Sequence, residues 1–509
     1  MVINRACLSS IFLTFKPLNT AKHPPNTGSL KRKFVTNLLL LLFLNLLIKP
    51  FWIFGIDRTV QNTVGDENYG LYFALFNFSM LLNILLDVGI TNYNNRNISR
   101  YSFLLPKHLS HIIGLKLMLA FVYALFTLGV AGIIGYNNLQ FHLLAFLILN
   151  QFLISFTLYL RSNISALQLF RTDSLISVLD RSLMIIICCL LLFTNIFRIE
   201  FTINWFVYAQ TLAYGLTLLI TLLIVLKKSG RIKIQFDPVF FKVFLKKSYP
   251  YALLILLMSF YNRIDSVMLE RLLPAPIGKE QAGIYAQAFR LLDAVSMFGV
   301  LFAGLLLPIF SRMLKQKENV EQMVKLSFTL LIVPAIVIAV SSIYYNSEIM
   351  ALLYHANTED SSSILGILMT GFIGIATTYI FGTLLTANGS MKQLNIMAFA
   401  GMILNITLNI ILIPNYQAQG SAWASLATQL FTGGIQLVLA LVIFRLHPGI
   451  RYIFQLLLFV GLVLVLATLS KKFDNWMLGY AFLVATSVIS AVVLKLFNLK
   501  NLYEIIRTE

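Results

Sequence analysis

The sequence predicts an all-α protein that crosses a membrane about fourteen times, and three observations predict it. Hydrophobic residues make up 58% of the 509 residues and charged residues only 12%, roughly half the share usual in soluble domains. Mean hydropathy is +0.82, and apolar runs of about 20 residues, the length of a helix across the hydrocarbon core, recur along the chain. The short loops between these runs alternate in charge. Roughly 25 lysines and arginines fall on the side of the N-terminus and about six on the other, a bias that places both termini in the cytoplasm.

The elements follow in order. Residues 1–33 are polar, carry Pro24, Pro25 and Asn26, and lack the plan of a signal peptide, so they are expected to form a disordered cytoplasmic tail. Spans are expected at 35–56, 69–90, 110–133, 139–159, 174–195, 203–226, 248–270, 283–310, 324–344, 362–387, 393–413, 420–444, 452–470 and 476–497. They group into an N-lobe over 34–226 (helices 1–6), a basic linker over 227–247, a C-lobe over 248–445 (helices 7–12), and helices 13–14 with a short tail over 446–509. The linker ends in PVFFKVFLKK (Pro238–Lys247), which reads as an interfacial helix with aromatics down and lysines up.

An internal repeat supports two lobes. Asp57-Arg58, Gly65, Glu67, Gly70 and Tyr72 recur at a constant offset of 213 as Glu270-Arg271, Gly278, Glu280, Gly283 and Tyr285. Repeated halves in a transporter put the substrate path at their interface. Six helices separate the copies, so both halves enter the membrane in the same orientation.

The composition also excludes functions. The formal charge of +19 is scattered over short loops and forms no patch for nucleic acid. The three cysteines (Cys7, Cys188, Cys189) build no disulfide framework or zinc spacing. The six histidines form no HExxH pair, and no glycine-rich phosphate loop occurs. No cofactor, metal or enzymatic chemistry is expected.

Ionisable residues inside the membrane are costly and point to partners or to a water-filled cavity. In span seven, Arg263 and Asp265 lie two positions apart, about 200° around the helix, so they cannot bond each other. Arg263 is expected to face a cavity and Asp265 to pack against span eight, with Arg290 as a candidate partner. Gln287, Arg290 and Asp293 follow at i, i+3, i+6 and form one polar stripe on span eight. In span one, Asn45 and Lys49 stack at i, i+4, and Pro50 just after them invites a kink; Asn83 and Asp87 stack likewise in span two. Arg58, Glu270 and Arg271 lie near helix ends, where snorkelling to headgroups is the simpler role, and Lys116 reads as a snorkeller too. Asp180-Arg181 reads as a structural pair, and Tyr72 and Tyr285 as members of aromatic belts.

RIDSVMLERLLPAPIGKEQAGIYAQAFRLLD (Arg263–Asp293) and LNITLNIILIPNYQAQGSAWAS (Leu404–Ser425) resemble stretches of the polysaccharide (O-antigen unit) flippases of the multidrug/oligosaccharidyl-lipid/polysaccharide exporter superfamily. The second stretch carries Asn405, Asn409, Pro414, Gly420 and Ala422 of that pattern, with Gln417 where a glycine is common. IKPFWIFGIDRTVQNTVGDENYGLY (Ile48–Tyr72) is similar to members handling lipopolysaccharide or capsule units. The resemblance spans roughly residues 33–500. It implies two six-helix lobes around a central cavity, two extra C-terminal helices, and a bacterial inner-membrane location. The implied cargo is an undecaprenyl-diphosphate-linked oligosaccharide, moved by alternating access. Membrane lipids, a coupling ion (H+ or Na+) and polysaccharide polymerase or assembly proteins are the implied partners. A diphosphate needs cations where water is scarce, which selects Lys49, Arg263 and Arg290 as ligands. Asn45, Asp57, Arg58, Asp265, Gln287 and Asp293 would support them or couple an ion. A multidrug or cation antiporter of the same superfamily, a membrane polymerase or glycosyltransferase, and a lipid II flippase are the alternatives. Candidates at least as basic as acidic disfavour cationic drugs, and short outer loops disfavour a polymerase.

Overall fold

The computed structural model describes residues 43–496, apart from 46, 92–93, 95–97, 99–102, 104, 195–199 and 230–237, with backbone alone at 107, 170, 238–240 and 243–248. The expected tail (1–33) and the start of the first span lie outside the described residues. So do most of the side chains of the expected interfacial helix; its backbone simply continues into the next span.

The described residues form α-helices and no strand: α1 (Arg58–Leu81), α2 (Leu105–Ile134), α3 (Asn138–Ala166), α4 (Phe170–Phe193), α5 (Ile203–Ser229), α6 (Pro238–Leu272), α7 (Ile277–Lys315), α8 (Glu321–Tyr344), α9 (Asn346–Leu353), α10 (Thr358–Asn388), α11 (Met391–Phe444), α12 (Ile450–Ser470) and α13 (Trp476–Val493). Among the described residues, 11 helices are long and apolar enough to cross a membrane. One of them, α11, has 54 residues and is bent at Gln417 (φ 49°, ψ −131°), three residues after Pro414. The ring of Pro414 removes a backbone donor and weakens the helix there. Gln417 then takes a positive φ that glycine adopts more readily. The break falls between expected spans eleven and twelve.

The first two expected spans meet at a similar break. Pro50 is followed by a widened π-helical turn over Trp52–Asp57, a form that tends to occur at functional sites. The helix then runs on to Gly65, whose φ of 79° and ψ of 166° interrupt α1; this backbone conformation is essentially restricted to glycine. Beyond Leu81 the chain narrows to a 3-10 turn (Asn83–Leu86), then takes positive φ at Val88 and Gly89. Lys116 fills this second break and is no snorkeller. It is 1% exposed, and its Nζ donates to Leu86 O at 2.9 Å and to Asp87 Oδ1 at 2.7 Å. The broken helix leaves that carbonyl free, and the ammonium satisfies it.

The helices pack as two lobes, with α12 and α13 against the outside of the second. Tyr452 Oη shares a hydrogen bond of 2.8 Å with Thr329 Oγ1 of α8, and Tyr345 Oη donates to Ser470 Oγ at 2.8 Å. The lobes touch where the sequence repeat predicts equivalence. A Cβ built on Gly70 would meet backbone atoms of Lys279 and Gly283, and one on Gly283 would meet backbone atoms of Asp66. Asp66 and Lys279 are themselves related by the offset of 213, so the two halves approach each other symmetrically. Around that contact, Asp66 accepts from Gln61 (2.8 Å), Gln287 (2.9 Å) and Asn357 (2.9 Å). Lys279 lies 3.4 Å from Glu67, and Gln140 of α3 donates to Glu270 of α6 at 2.8 Å. This end of the bundle, away from the basic loops, is closed.

Candidate functional site: a cavity between the lobes

A cavity of about 860 Å³ lies between the lobes, at the upper end of the range for small-molecule sites. Its walls come from the π-helical turn and the residues before it, α1, α4, α5, α6, α7, α10 and α11. Along α6 the lining runs from Arg263 back to Ile255, and along α7 from Phe289 on to Leu301, in each case toward the helix end that joins the basic loops. The cavity therefore extends to that side.

Two of the predicted cations sit in closed ion pairs. Arg263 meets Asp293 through both terminal nitrogens, Nη1 to Oδ2 at 3.1 Å and Nη2 to Oδ1 at 3.0 Å. This fork geometry gives direction as well as strength. The pair is the partnership that span geometry left open, since Asp293 is three residues from Arg290 but bonds mainly across to α6. Arg290 lies 2.9 Å from Asp57 Oδ2 through Nε, and 3.8 Å from Asp293. Tyr69 Oη donates to the same Asp57 oxygen at 2.7 Å and accepts from Arg290 Nε at 3.0 Å. The guanidinium also lies over Phe73 at 4.9 Å, within cation–π range. Asp57 belongs to the first lobe and Arg290 to the second, so this pair bridges them.

Lys49 and Asn45 also line the cavity, and Asn45 donates to Ser177 Oγ of α4 at 3.0 Å. Lys49 makes no ion pair among the described residues. Arg58 and Gln287 do not line it. Gln287 instead belongs to the closed end, where it bonds Asp66 and the Ala356 carbonyl.

Asp265 does not line the cavity and is buried among side chains of the second lobe. It is 1% exposed and packs against α7 through Tyr285 Oη, which donates at 2.8 Å. Its other partners are on α11 and not Arg290: Asn409 Nδ2 at 2.8 Å and Asn405 Nδ2 at 3.1 Å. Ser421 Oγ completes the group by donating to Asn409 Oδ1 at 2.8 Å. Every donor to this carboxylate is neutral. Tyr72 and Tyr285 are not belt residues either: they are 2% and 1% exposed, and Tyr72 Oη accepts from Gln210 at 2.8 Å.

Arg181, read from the sequence as the structural partner of Asp180, also faces the cavity from α4. Its nearest carboxylate oxygen, on Asp180, is 3.8 Å away, outside hydrogen-bonding range. Its guanidinium lies 5.5 Å from the Trp52 ring and 5.9 Å from that of Tyr214. Sequence reasoning missed the amide pair on the opposite wall, where Gln429 donates to Asn262 Oδ1 at 2.7 Å. In all, four cations (Lys49, Arg181, Arg263, Arg290) and two carboxylates (Asp57, Asp293) line the cavity, a formal excess of two positive charges.

Comparison with known proteins places this arrangement. A family model described as polysaccharide biosynthesis protein matches residues 35–314, more than half of the chain. No curated protein matches by sequence at a significant level. Among solved structures, the lipid II flippase MurJ in an inward-closed conformation superposes with a TM-score of 0.64 at 16% identity, over 92% of this chain and 98% of that one. An inward-facing multidrug resistance transporter of the MATE family and MOP superfamily gives 0.59 at 16% identity, over 77% and 94%. A MOP superfamily transporter from Pyrococcus furiosus, described as having a binding pocket of reverse polarity, gives 0.58 at 15% identity, over 84% and 99%. At these identities the likeness is one of fold.

Proposed function

Since the chain belongs to the family of polysaccharide biosynthesis proteins, we propose that it is a flippase for undecaprenyl-diphosphate-linked oligosaccharide units. It takes them from the cytoplasmic to the periplasmic leaflet of a bacterial inner membrane by alternating access, with both termini in the cytoplasm. The units serve lipopolysaccharide O-antigen, capsule or exopolysaccharide, and the polysaccharide polymerase would receive them. The reading rests on a membrane transporter fold and on one observation above the others, the excess of two positive charges in a cavity between apolar walls. A diphosphate diester carries two negative charges, and desolvating them without cations would be costly. A cationic drug entering the same space would meet net repulsion, which disfavours the multidrug alternative.

Lys49, Arg263 and Arg290 contribute that positive potential, with Asp57 and Asp293 holding the two guanidinium groups in place. Asp265 is the position proposed for the coupling ion, H+ or Na+, because its carboxylate has neutral donors alone and no resident cation. Closure at the end away from the basic loops corresponds to the state that accepts cargo from the cytoplasm.

The test is made in a cell whose surface polysaccharide depends on this protein. Arg263→Ala and Arg290→Ala are each expected to reduce surface polymer and to leave lipid-linked units accumulating inside. Normal surface polymer from both variants at normal protein levels would sink the assignment of the cavity.

A further inference from the structure

The two lobes differ at the connection between their third and fourth spans. In the first lobe α2 passes to α3 through residues 135–137. There Asn137 caps α3 in the ordinary way, its side chain accepting from the Gln140 backbone N–H at 2.9 Å. In the second lobe α8 reaches α10 only through residues 345–357, which include the added helix α9. Asn357 holds the equivalent place before α10 and makes no cap. Its backbone is left-handed (φ 52°), a conformation that asparagine tolerates. From there its amide crosses to the first lobe and donates to Asp66 Oδ2 at 2.9 Å. A capping bond would stabilise its own helix; here it is forgone for a bond between lobes.

The same segment is fastened at both ends. At its tip, Asn62 of the first lobe donates to the Leu353 carbonyl at 3.1 Å, beside the bond from Asn357 to Asp66. Tyr354 Oη donates to the Gln287 carbonyl at 3.3 Å, and Gln287 Nε2 donates to the Ala356 carbonyl at 3.2 Å and to Asp66 at 2.9 Å. Gln287 therefore ties the segment to the lobe contact. At its root, Tyr345 is 1% exposed and donates to Ser470 Oγ at the end of α12. Lys471 lies over the Tyr345 ring at 4.3 Å and pairs with Glu348 of α9. A Cβ on Gly479 of α13 would meet Tyr345 Oη. The turn between α12 and α13 thus grips the root, while the tip is bonded to the other lobe.

We propose that residues 345–357 are a strap that holds the outer end shut, and that α12 and α13 serve it as a brace. When the outer end opens, Asn62 and Asp66 must part from Leu353 and Asn357, because they belong to different lobes. The bonds to Ser470 and Lys471 need not change, since α12 and α13 pack on the strap's own lobe. Holding the root removes conformational freedom from the free strap, so less is lost when its tip rejoins the first lobe. The brace thereby favours the shut state without touching the first lobe. The inference rests on alternating access and not on which cargo is carried.

The experiment places a single cysteine in the cavity, Ser296→Cys, in full-length protein lacking Cys7, Cys188 and Cys189. A membrane-impermeant maleimide is applied to right-side-out membrane vesicles, on the side of the closed end. It reaches the cysteine only through the open form, so the labelling rate follows that population. Each variant is first checked for monodispersity. Cutting the tip with Asn62→Ala and Asn357→Gly, where glycine keeps the left-handed backbone, should raise the rate about tenfold or more, the scale of one hydrogen bond to a charged group and one ordinary bond. Cutting the brace with Tyr345→Phe and Lys471→Met should raise it about threefold. Once the tip is cut, the brace variant should add less than about 1.5-fold, whereas general loosening would add the same factor in both backgrounds. Gly283→Ala, which forces the backbones apart at the same contact, checks the reporter. If Gly283→Ala raises the rate and the tip variant does not, the strap is overturned and alternating access stands. An equal effect of the brace variant in both backgrounds overturns the brace. A rate unmoved by every variant, Gly283→Ala included, would overturn the strap together with alternating access.

Discussion

Replacing Gly283 by alanine probes how the end away from the basic loops is closed. An alanine methyl there would lie 2.7 Å from the carbonyl carbon and 2.9 Å from the Cα of Asp66, whereas carbon atoms in good contact sit about 3.5–4.0 Å apart. Both atoms are backbone, so no rotamer change relieves the clash. Helices α1 and α7 must separate by roughly 1 Å to restore ordinary contact. Overpacking of this kind costs about 1–3 kcal/mol, and the cost falls only on the state in which this end is shut. In a state with the lobes apart the methyl meets nothing. The equilibrium should therefore move about 5- to 150-fold toward the form open on this side. Cysteines at Glu67 and Lys279, whose side chains lie 3.4 Å apart, report it by cross-linking in a background lacking Cys7, Cys188 and Cys189. Gly283→Ala should lower the cross-linking yield while the protein remains folded. A yield equal to that of the parent would refute closure by backbone contact.

Other predictions concern pairs and breaks. Asp57→Ala takes from Arg290 its close carboxylate, leaving only Asp293 at 3.8 Å, in a site where that side chain is 13% exposed; a loss of about 3 kcal/mol is expected, seen as a lower unfolding midpoint in detergent and partly restored by adding Arg290→Met. Lys116→Met should destabilise the first lobe for the same reason, and adding Asp87→Asn should recover most of the loss in the same assay. Gln417→Gly should raise the unfolding midpoint, since relief of a positive φ outweighs the added chain entropy by about 0.5–1 kcal/mol. Asp265→Asn should abolish the dependence of transport on an ion gradient while the protein remains folded; undiminished ion dependence would remove Asp265 from coupling.

Fold class was legible because apolar length and loop charge are local signals. The repeat was legible as well, down to the glycines: Gly70 and Gly283 recur because each must admit the other half's backbone. Partnerships were harder to read. Depth along a helix can be counted from sequence, and Arg263, Arg290, Asp57 and Asp293 were all placed near the cavity. Which carboxylate meets which arginine depends on how α1, α6 and α7 cross, and that is tertiary information. Arg181 reads from the sequence only as a structural partner because adjacent opposite charges suggest mutual neutralisation. Neighbours on a helix point about 100° apart, so one of the two had to face elsewhere, and that signal was available. Lys116 was misread because the break at Val88 and Gly89, which frees the Leu86 carbonyl, lies inside an apolar run expected to be regular helix. Tyr72 and Tyr285 were misread because an aromatic near a helix end looks the same whether its hydroxyl reaches water or a buried partner.

The central claim, that this chain moves an anionic lipid-linked oligosaccharide between leaflets, is tested most directly in proteoliposomes. Undecaprenyl-diphosphate-linked oligosaccharide is placed in both leaflets, and a membrane-impermeant glycosidase reports the fraction exposed outside. With the wild-type protein the protected half should become accessible, and with Lys49→Gln combined with Arg181→Gln it should stay protected. A protected pool that wild-type protein leaves untouched, in vesicles where it transports a cationic dye, would contradict the account.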